Sequence, residues 1–337
     1  MRIAIDAMGG DHAPEEIIKG VLEAGKILGK DDELFLVGDE AVIEEHLSKH
    51  KAKKNTVNIV HAPEAIGMDE KPVESLRKKR KSSIAVMAKM AAKDKVDAVI
   101  SAGNTGACVA AGQLRMRNLP GVNRPGIAVI VPSFGGPVTL CDVGANVACK
   151  AINLYQYAVM SSIYARQVNG IENPRVGLMG IGVEAEKGNE LVKRTRAMIE
   201  EDPNLNFVGF IEGRDILNGA CDVAICEGFV GNIVLKLTEG LVEGLFKAIK
   251  QELMNESLKL AMKFKPVMMK IYEKYDYHEF GGAQLIGLNG TSIICHGNSK
   301  SRTIKNAVLL SKKLYTQKIN DIIVEYLSNT SIRGNGE

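Results

Sequence analysis

The fold is indicated by the stretch Ile3-Ala-Ile-Asp-Ala-Met-Gly-Gly-Asp-His12, in which a short apolar run ends in a cluster of Gly, Asp and His. Four more stretches repeat this pattern: residues 98–106, 140–146, 176–189 and 223–232. Continuous apolar runs are typical of strands buried on both faces of a parallel sheet. Loops that follow such strands gather along one edge, where ligands bind, and glycine lets the backbone approach a ligand closely. The pattern therefore predicts a crevice for phosphate or another oxyanion.

Composition restricts the class of protein. The chain has 337 residues, 45% hydrophobic and 25% charged, which is ordinary for a globular protein. Its net charge of +3 is too small to indicate a nucleic-acid partner. Six scattered Cys residues show no zinc-type spacing, so we expect buried reduced thiols, a cytoplasmic location and no metal. The chain opens on a strand and contains no apolar stretch of membrane-spanning length, so neither a signal peptide nor a transmembrane helix is expected.

Strand and helix signals alternate along most of the chain, which predicts an α/β fold: a mostly parallel, three-layer Rossmann-like sheet. The apolar runs 126–132 and 138–143 flank Phe134-Gly-Gly-Pro137 and predict a hairpin with an antiparallel edge. We expect one two-lobed catalytic domain over residues 1–330. A late amphipathic helical segment, 233–280, is interrupted by Pro266, a terminal helix covers 302–327, and the tail 331–337 is frayed.

The loop at 176–189 carries the sharpest chemical signal. Gly180, Gly182 and Ala185 match a dinucleotide-binding GxGxxA pattern, and Glu212 follows the next strand, where an acidic ribose ligand would stand. A Gly-rich turn that bears a Lys suits a compact oxyanion better, because the ammonium acts as a point charge. A plain turn with a solvated Lys remains a third interpretation. The oxyanion interpretation selects Lys187 and Asn189, together with Gly182, Glu184 and Gly188.

Uncharged donors and two histidines add candidates. Asn104 and its neighbours are rich in hydrogen-bond donors that suit an oxyanion, although they are equally suited to cap the next helix. Loop histidines act as acids, bases or phosphate donors, and are often without function. Asp6, inside an apolar run, is expected to orient its loop rather than to catalyse. The candidates in these loops are Gly9, Gly10, Asp11, His12, Gly103, Asn104, Thr105, Gly106, Asn146, Asn232 and His296.

Two charged segments suggest surfaces for partners. The basic run lies on a predicted helix and is either a solvated face or a docking site for an acidic partner. It consists of Arg77, Lys78, Lys79, Arg80 and Lys81. Residues 253–271 place apolar side chains beside a Lys-rich face, which suits a membrane interface or a partner helix in a homodimer equally well. The residues selected for membrane contact are Leu258, Met262, Phe264 and Met268.

Together, the motifs Asp6–Pro14, Ser101–Ala107, Asp142–Asn146, Ile181–Asn189, Glu227–Asn232 and Gly281–Gly287 make the chain resemble the bacterial phosphate acyltransferases of phospholipid synthesis. The resemblance implies the fold of phosphate acetyltransferases and of isocitrate and isopropylmalate dehydrogenases. It also implies transfer of a long-chain acyl group from acyl-carrier protein to inorganic phosphate, without a cofactor. The acyl phosphate would supply the membrane enzyme that acylates glycerol 3-phosphate.

The resemblance implies roles for the candidates. Lys187 and Asn189 would hold phosphate, Asn104 and loop N–H groups the oxyanion, and His12 would be a secondary donor. The basic run would dock the acidic carrier protein, and the amphipathic segment would bring a homodimer to the inner face of the membrane. Two rival hypotheses remain: an NAD-dependent dehydrogenase on the related fold, and a non-catalytic adaptor at the membrane surface.

Overall fold

The computed structural model describes residues 1–52, 56–184, 186–275, 280–330 and 332. Ala185 of the GxGxxA pattern, residues 276–279 of the late helical segment, and the predicted frayed tail apart from Ile332 lie outside the described residues. No helix in the described part of the chain is both long enough and apolar enough to cross a membrane.

Eleven strands and twelve helices alternate along these residues. The strands are β1 Arg2–Asp6, β2 Glu33–Gly38, β3 Asn58–His61, β4 Ala98–Ser101, β5 Gly126–Ser133, β6 Gly136–Cys141, β7 Arg175–Met179, β8 Asn206–Ile211, β9 Val223–Ile225, β10 Ala283–Ile286 and β11 Thr291–Ile294. The helices are α1 Glu15–Gly25, α2 Glu40–Lys49, α3 Pro72–Lys78, α4 Ser83–Ala91, α5 Thr105–Ala111, α6 Ala151–Asn169, α7 Glu190–Glu200, α8 Gly213–Leu217, α9 Gly228–Glu256, α10 Leu258–Tyr275, α11 Ser301–Thr316 and α12 Ile319–Asn329. A π-helical turn, Gly112–Met116, extends α5.

All eleven strands form one sheet in the order β3-β2-β1-β4-β11-β10-β5-β6-β9-β7-β8. Five strands from β3 to β11 are mutually parallel, and so are the four strands from β6 to β8. Between these groups, β10 and β5 pair antiparallel with both neighbours, as the predicted hairpin requires for β5 and β6. The sheet is therefore mostly parallel and the α/β prediction is confirmed.

The antiparallel centre has a consequence that the sequence-based prediction missed. Three direction reversals separate the two parallel groups, so their strands run in opposite directions. Strands β1, β4 and β11 end at what we call the first edge, and β6, β7 and β9, which point the other way, end at the second edge. The register brings these two sets of strand ends together at the centre of the sheet, because one row contains Ile100, Ile293, Gln284, Ala128, Cys141 and Ile225. The expectation of loops along the edge of a single parallel sheet is therefore corrected: the five Gly-rich loops follow strands of two opposite directions, whose carboxyl ends meet at the centre of the sheet.

Helices cover both faces of the sheet and give the predicted three layers. One core cluster packs α1, α6, α11 and α12 on one face, and a second packs α4, α5 and α8 on the other. Helix α6 is buried nearly all round, because it lies between the sheet and α12, and its Tyr155, Tyr157 and Tyr164 are fully buried. All six Cys thiols are unpaired and five are buried, as expected.

Two helical predictions need correction. The long late helix breaks at Ser257, not at Pro266: Ser257 is extended, and its hydroxyl accepts a hydrogen bond from the Leu260 N–H at 3.0 Å, which starts α10. Pro266 lies inside α10, where it removes one hydrogen-bond donor without ending the helix. The terminal helix is divided into α11 and α12 by Lys318, whose φ of 51° is left-handed.

Candidate functional site

Asp6 organises two loops at the first edge. Its buried carboxylate accepts hydrogen bonds from the Met8 N–H at 3.1 Å and from the Ser101 hydroxyl at 2.7 Å, and the Ser101 oxygen accepts the Gly103 N–H at 3.0 Å. Burial raises the pKa of Asp6, and these donors oppose that rise. A side chain at Gly9 would place its Cβ 2.5 Å from the Asp6 carboxylate, so the close approach of the two loops requires glycine there.

The side chain of Asn104 is fully engaged by the protein. Its Nδ2 donates to the carbonyls of Gly67, Met68 and Glu70 at 3.0–3.1 Å, and its Oδ1 accepts the Ala107 N–H, which caps α5. An amide has only two N–H donors, so none remains for a substrate oxyanion. The capping alternative describes this residue, whereas its neighbour Thr105 lines an open cavity.

Asp142 has the corresponding position at the second edge. It is buried after β6 and accepts hydrogen bonds from the N–H groups of Ile127, Gly144, Ala145 and Asn146. The Asn146 amide donates to Asp142, to the Pro125 carbonyl and to the Tyr157 hydroxyl. Asn146 is therefore also engaged by the protein, and the loop is fixed from beneath.

Helix α9 starts on this loop. Glu227 caps it by accepting the Phe229 and Val230 N–H groups at 2.6 and 3.0 Å. A Cβ at Gly231 would lie 1.9 Å from the Asp142 carbonyl oxygen, so the first turn of the helix packs directly against the backbone after β6. This close packing brings Asn232 beside Gly144, whose Cβ position lies 3.8 Å from the Asn232 amide oxygen.

The 180–189 loop does not have the geometry of a dinucleotide fingerprint. The next helix, α7, begins only at Glu190, so no helix N-terminus lies at Gly182. Glu212, the candidate ribose ligand, forms an ion pair with Arg214 at 2.7 Å. Asn189 caps α7 by accepting the Val192 N–H at 3.1 Å. The turn itself is closed by a hydrogen bond from the Lys187 N–H to the Glu184 carbonyl at 3.0 Å.

Lys187 is exposed on that loop. Gly188 has a φ of +102°, which favours glycine. Strands β7 and β9 are adjacent, and both end at the second edge, so the Lys187 loop lies beside the start of α9. Glu184, Glu186 and Glu190 surround the ammonium in sequence, which weakens the attraction of this loop for an anion.

A cavity of about 380 Å³ joins four of the five loops on the face of the sheet that α9 covers. We call its apolar lining residues the floor and its six polar lining residues the rim. The floor includes Ile127, Val129, Val143, Leu235, Phe280 and Ile294. The rim includes Asp11, Thr105, Asn232, Lys236, Glu239 and His296. The structure therefore brings together the predicted residues Asp11, Thr105, Asn232 and His296, and the cavity lining includes neither His12 nor the Lys187 loop.

Lys236 and Glu239 were missed by the sequence analysis. Burial raises the pKa of Glu239, and the nearby charges of His296 and Lys236 oppose this effect. His296 Nδ1 lies 2.9 Å from the Asn298 amide oxygen, which fixes the ring at the rim. Asn232, Lys236 and Glu239 are four and then three residues apart, which places them on one side of a helix. This spacing in the predicted helix could have identified Lys236 and Glu239 from the sequence.

The basic run is mostly free. Lys79 contacts Glu70, and this contact, with the Gly67 N–H and the Ser75 hydroxyl, lowers the pKa of Glu70 to about 2. The remaining cations of the run, Arg77, Lys78, Arg80 and Lys81, are exposed at the end of α3 and in the following turn. Helix α3 starts at Pro72, which lies against Gly106, so the start of this helix is near Thr105 of the cavity lining and the basic run lies at its other end.

The residues predicted for membrane contact lie on α10. Leu258, Met262 and Phe264 are exposed, and Met268 is half-buried. Three of them, Leu258, Met262 and Met268, line a largely apolar cleft of about 350 Å³ between α9 and α10. Phe246 and Tyr272 join the two helices edge to face, with ring centroids 5.3 Å apart.

Comparison with known proteins gives consistent results. The model of a family described as "Fatty acid synthesis protein" matches residues 1–321. A phosphate acyltransferase of Heliobacterium modesticaldum is 46% identical over 330 residues, 97% of this chain and 98% of that protein. One of Halothermothrix orenii is 45% identical over 331 residues, 97% and 99% of the two chains.

Solved structures agree on the fold. A phosphotransacetylase from Streptococcus pyogenes has a TM-score of 0.61 at 16% identity, and covers 94% of both chains. The EutD phosphotransacetylase from Staphylococcus aureus has a TM-score of 0.59 at 15% identity, over 95% of this chain and 94% of that one. At such low identity the likeness supports the fold alone.

Proposed function

The chain belongs to the fatty acid synthesis protein family, and from this premise we propose that it transfers a long-chain fatty acyl group from acyl-carrier protein to inorganic phosphate. Relatives 45–46% identical over almost the whole chain are phosphate acyltransferases, so the chain is an acyltransferase enzyme. The acyl-carrier-protein donor and the acyl phosphate product are the finer part of the proposal. Neither the family match nor the relatives favours the dehydrogenase alternative.

The observation that carries the proposal is the cavity with an apolar floor and a polar rim that offers hydrogen-bond donors and one lysine. An acyl chain would occupy the floor, which is lined by aliphatic and aromatic side chains. The thioester would then lie at the rim, near Lys236, His296 and Asn232. Donors placed where negative charge develops stabilise a tetrahedral oxyanion.

Phosphate itself is the nucleophile in this reaction. Its oxygen attacks the thioester carbonyl carbon, the tetrahedral intermediate collapses, and the C–S bond breaks to release the carrier thiolate, which takes up a proton. Cys295 is the thiol that lines the cavity, and burial raises its pKa to about 12. It therefore stays protonated near neutral pH and is unsuited to covalent catalysis. Direct attack by phosphate needs only positioning and electrostatic stabilisation.

We assign phosphate to Lys187 and Asn189 and the thioester oxyanion to the rim. The lysine is exposed beside the start of α9, and the N-terminus of α7 adds free N–H groups to the same loop. Lys187→Ala should raise the KM for phosphate roughly tenfold or more, whereas Lys236→Ala should mainly lower kcat. The opposite pattern would place phosphate at the rim. Lys193→Ala, an exposed cation on α7, is the matched control and should change neither.

The activity assay measures release of acyl-carrier protein from a palmitoyl thioester, with and without phosphate. Phosphate-dependent release, with the product trapped as a hydroxamate, is the expected result. Release that is independent of phosphate would indicate a thioesterase, and no release would remove the acyl-carrier-protein donor from the proposal. Reversal of Arg77, Lys78 and Arg80 to Glu should raise the KM for the carrier protein in a salt-sensitive manner, because the carrier is acidic.

The membrane and dimer surfaces remain proposals that α9 and α10 support. Acyl phosphate would pass to the membrane acyltransferase of glycerol 3-phosphate, so we propose that α10 holds a homodimer at the inner face of the membrane. Leu258→Asp combined with Phe264→Asp should abolish sedimentation with anionic liposomes. Ile27→Asp is the control: Ile27 is also exposed and apolar but is far from α10 in sequence, so this variant should still sediment with the liposomes. Undiminished sedimentation of the double variant would contradict the role of α10.

A further inference from the structure

The cleft between α9 and α10 is a second apolar recess, separate from the candidate site. We call it the hairpin cleft, because α10 turns back along α9 after Ser257 and its Tyr272 meets Phe246 of α9. Its volume is about 350 Å³, against about 380 Å³ for the cavity of the candidate site, and no described residue lines both. The hairpin cleft is therefore large enough to hold a ligand of its own.

The lining of the hairpin cleft suits a flexible hydrocarbon chain. Of the eleven lining residues, nine are apolar or aromatic and two are lysines. Four of the nine are methionines, whose unbranched side chains adapt to ligands of varying shape. These four are Met254, Met262, Met268 and Met269. Such a lining favours an unbranched chain over a rigid, polar ligand.

The two lysines place a pair of ammonium groups at one level of the hairpin cleft. Lys250 lies seven residues before Ser257 and Lys265 eight residues after it, so the antiparallel helices bring them opposite each other. Among the side chains that the structure describes, no carboxylate lines the cleft. Two like charges that face each other repel, and an anion between them removes this repulsion. The doubly charged phosphate group matches two lysines, which bind phosphate as point charges.

The position of the lysines sets the direction of a bound chain. The lining between them and the turn at Ser257 is apolar, and consists of Leu253, Met254, Leu258, Ala261 and Met262. A chain attached to an anion between the lysines would lie along these side chains. At the other end, the Phe246 and Tyr272 rings cross the cleft in edge-to-face contact. The open end therefore points to Leu258, which is exposed and belongs to the proposed membrane surface.

We propose that the hairpin cleft binds a single-chain amphiphile with a phosphate head, with the head between Lys250 and Lys265 and the chain toward Ser257. An acyl phosphate has this chemistry. The cleft then holds the product after it leaves the candidate site and before it passes to the membrane. This role as a product site rests on the proposed function, whereas the binding of the amphiphile does not.

Isothermal titration of the full chain with dodecyl phosphate, below its micelle-forming concentration and at fixed ionic strength, tests the proposal. Dodecyl phosphate keeps the chain and the phosphate but lacks the labile acyl bond. Lys250→Glu with Lys265→Glu should weaken binding at one site by about tenfold or more, because it replaces both cations by anions. Ala261→Phe should weaken the same site without a change of charge, because the ring fills the cleft.

The matched control is Lys247→Glu with Lys263→Glu. Both lysines are exposed on the same two helices but do not line the hairpin cleft, so the charge change is equal and binding should stay as in the wild type. Equal weakening by the two double variants would overturn the proposal, because it would indicate general attraction of an anion to a basic surface. Equally tight binding of dodecyltrimethylammonium would overturn it too, since that cation has the same chain.

Two further outcomes separate the hairpin cleft from the membrane surface and from the reaction. Sedimentation with anionic liposomes, without binding of dodecyl phosphate at a site that the cleft variants weaken, would overturn the proposal and leave only a membrane surface. A wild-type chain that binds dodecyl phosphate in the cleft but forms no acyl phosphate from the thioester would contradict the proposed function and the product role, and would still support the amphiphile site.

Discussion

Asn104 and Asn146 donate their amide protons to the protein's own backbone and side chains, although each stands in a Gly-rich loop that suggests ligand binding. Asp6 and Asp142 act in the same way at the first and second edges: each carboxylate accepts hydrogen bonds from the backbone of the turn that follows its strand. The buried polar residues of these loops therefore fix the loop geometry. The residues that remain available for the proposed substrate contacts are those on the rim and on the exposed 180–189 loop.

Replacement of Asn104 tests this division of roles. Asn104→Ala should lower the free energy of unfolding by about 2–3 kcal/mol, because it removes the cap of α5 and leaves three backbone carbonyls without a donor. Urea unfolding measures the loss, and Asn173→Ala, at an exposed position, should stay within about 0.5 kcal/mol of the wild type. Unchanged stability with a kcat reduced about 10²–10³-fold would instead indicate that Asn104 binds the oxyanion.

Glu239 predicts a pH dependence of stability. Burial raises its pKa in the folded chain above the ordinary value of 4.5. Its contribution to stability is therefore fully present below that value and is lost as the pH rises through the folded-state pKa. Glu239→Gln stays neutral, so its Tm should match the wild type near about pH 4 and exceed it near about pH 8. A lower Tm of the variant at the higher pH would show that the carboxylate is stabilised by His296 and Lys236.

At the scale of elements, α9 joins the loops of the candidate site to the exposed helical hairpin. Its first turn packs on Asp142 and Asn146, its next turns carry Asn232, Lys236 and Glu239, and its far end meets α10 at Ser257. One helix thus connects the second-edge loop, the rim and the proposed membrane surface. Its length of 29 residues allows the one helix to reach all three features.

Two glycines of α9 should respond oppositely to the same substitution. Gly231→Ala should destabilise the fold by about 1–3 kcal/mol, because its Cβ would lie 1.9 Å from the Asp142 carbonyl oxygen and force the helix away. Gly240 has no atom near its Cβ position, so Gly240→Ala should stabilise by about 0.5–1 kcal/mol through helix propensity. Chemical unfolding of both variants measures the difference. Stabilisation by both would show that the α9 start is not tightly packed.

The sequence predicted most elements because their signals are local. Continuous apolar runs between helical segments located the strands, and Phe134-Gly-Gly-Pro137 located the hairpin. The break at Ser257 was missed because a proline nine residues later gave a stronger signal than a serine cap. Strand β10 was missed because it has four residues and follows two glycines, and its antiparallel partners are distant in sequence.

At the scale of the whole molecule, the sequence does not show the direction in which strands pair. The opposite directions of the two parallel groups depend on where β10 and β5 enter the sheet, which tertiary packing decides. For the same reason, the sequence located the candidate loops but not their grouping. Asp11, Thr105, Asn232 and His296 meet in one cavity, whereas Lys187 lies on a neighbouring loop.

An exposed apolar stripe on α9 indicates how the chain assembles with a second copy. Ile233, Leu237, Leu241, Leu245 and Ile249 follow one another at four-residue intervals, and all are exposed. Leu237 and Leu241 are 69% and 61% exposed. A continuous apolar surface of this kind is costly in water and is typical of a contact with another chain. A second copy of the same helix would cover it in an isologous pair.

We therefore predict that the chain sediments as a homodimer of about twice its 36.4 kDa mass. Leu237→Glu with Leu241→Glu should convert it to a monomer, because the partner helix would bury two unpaired carboxylates. Analytical ultracentrifugation measures both, and Leu114→Glu, 65% exposed but away from α9, should remain dimeric. If the double variant remained dimeric, the interface would lie on α10 and not on the stripe. Because Leu258 and Phe264 lie outside the stripe, liposome binding by a monomeric variant would show that the dimer and membrane surfaces are separate.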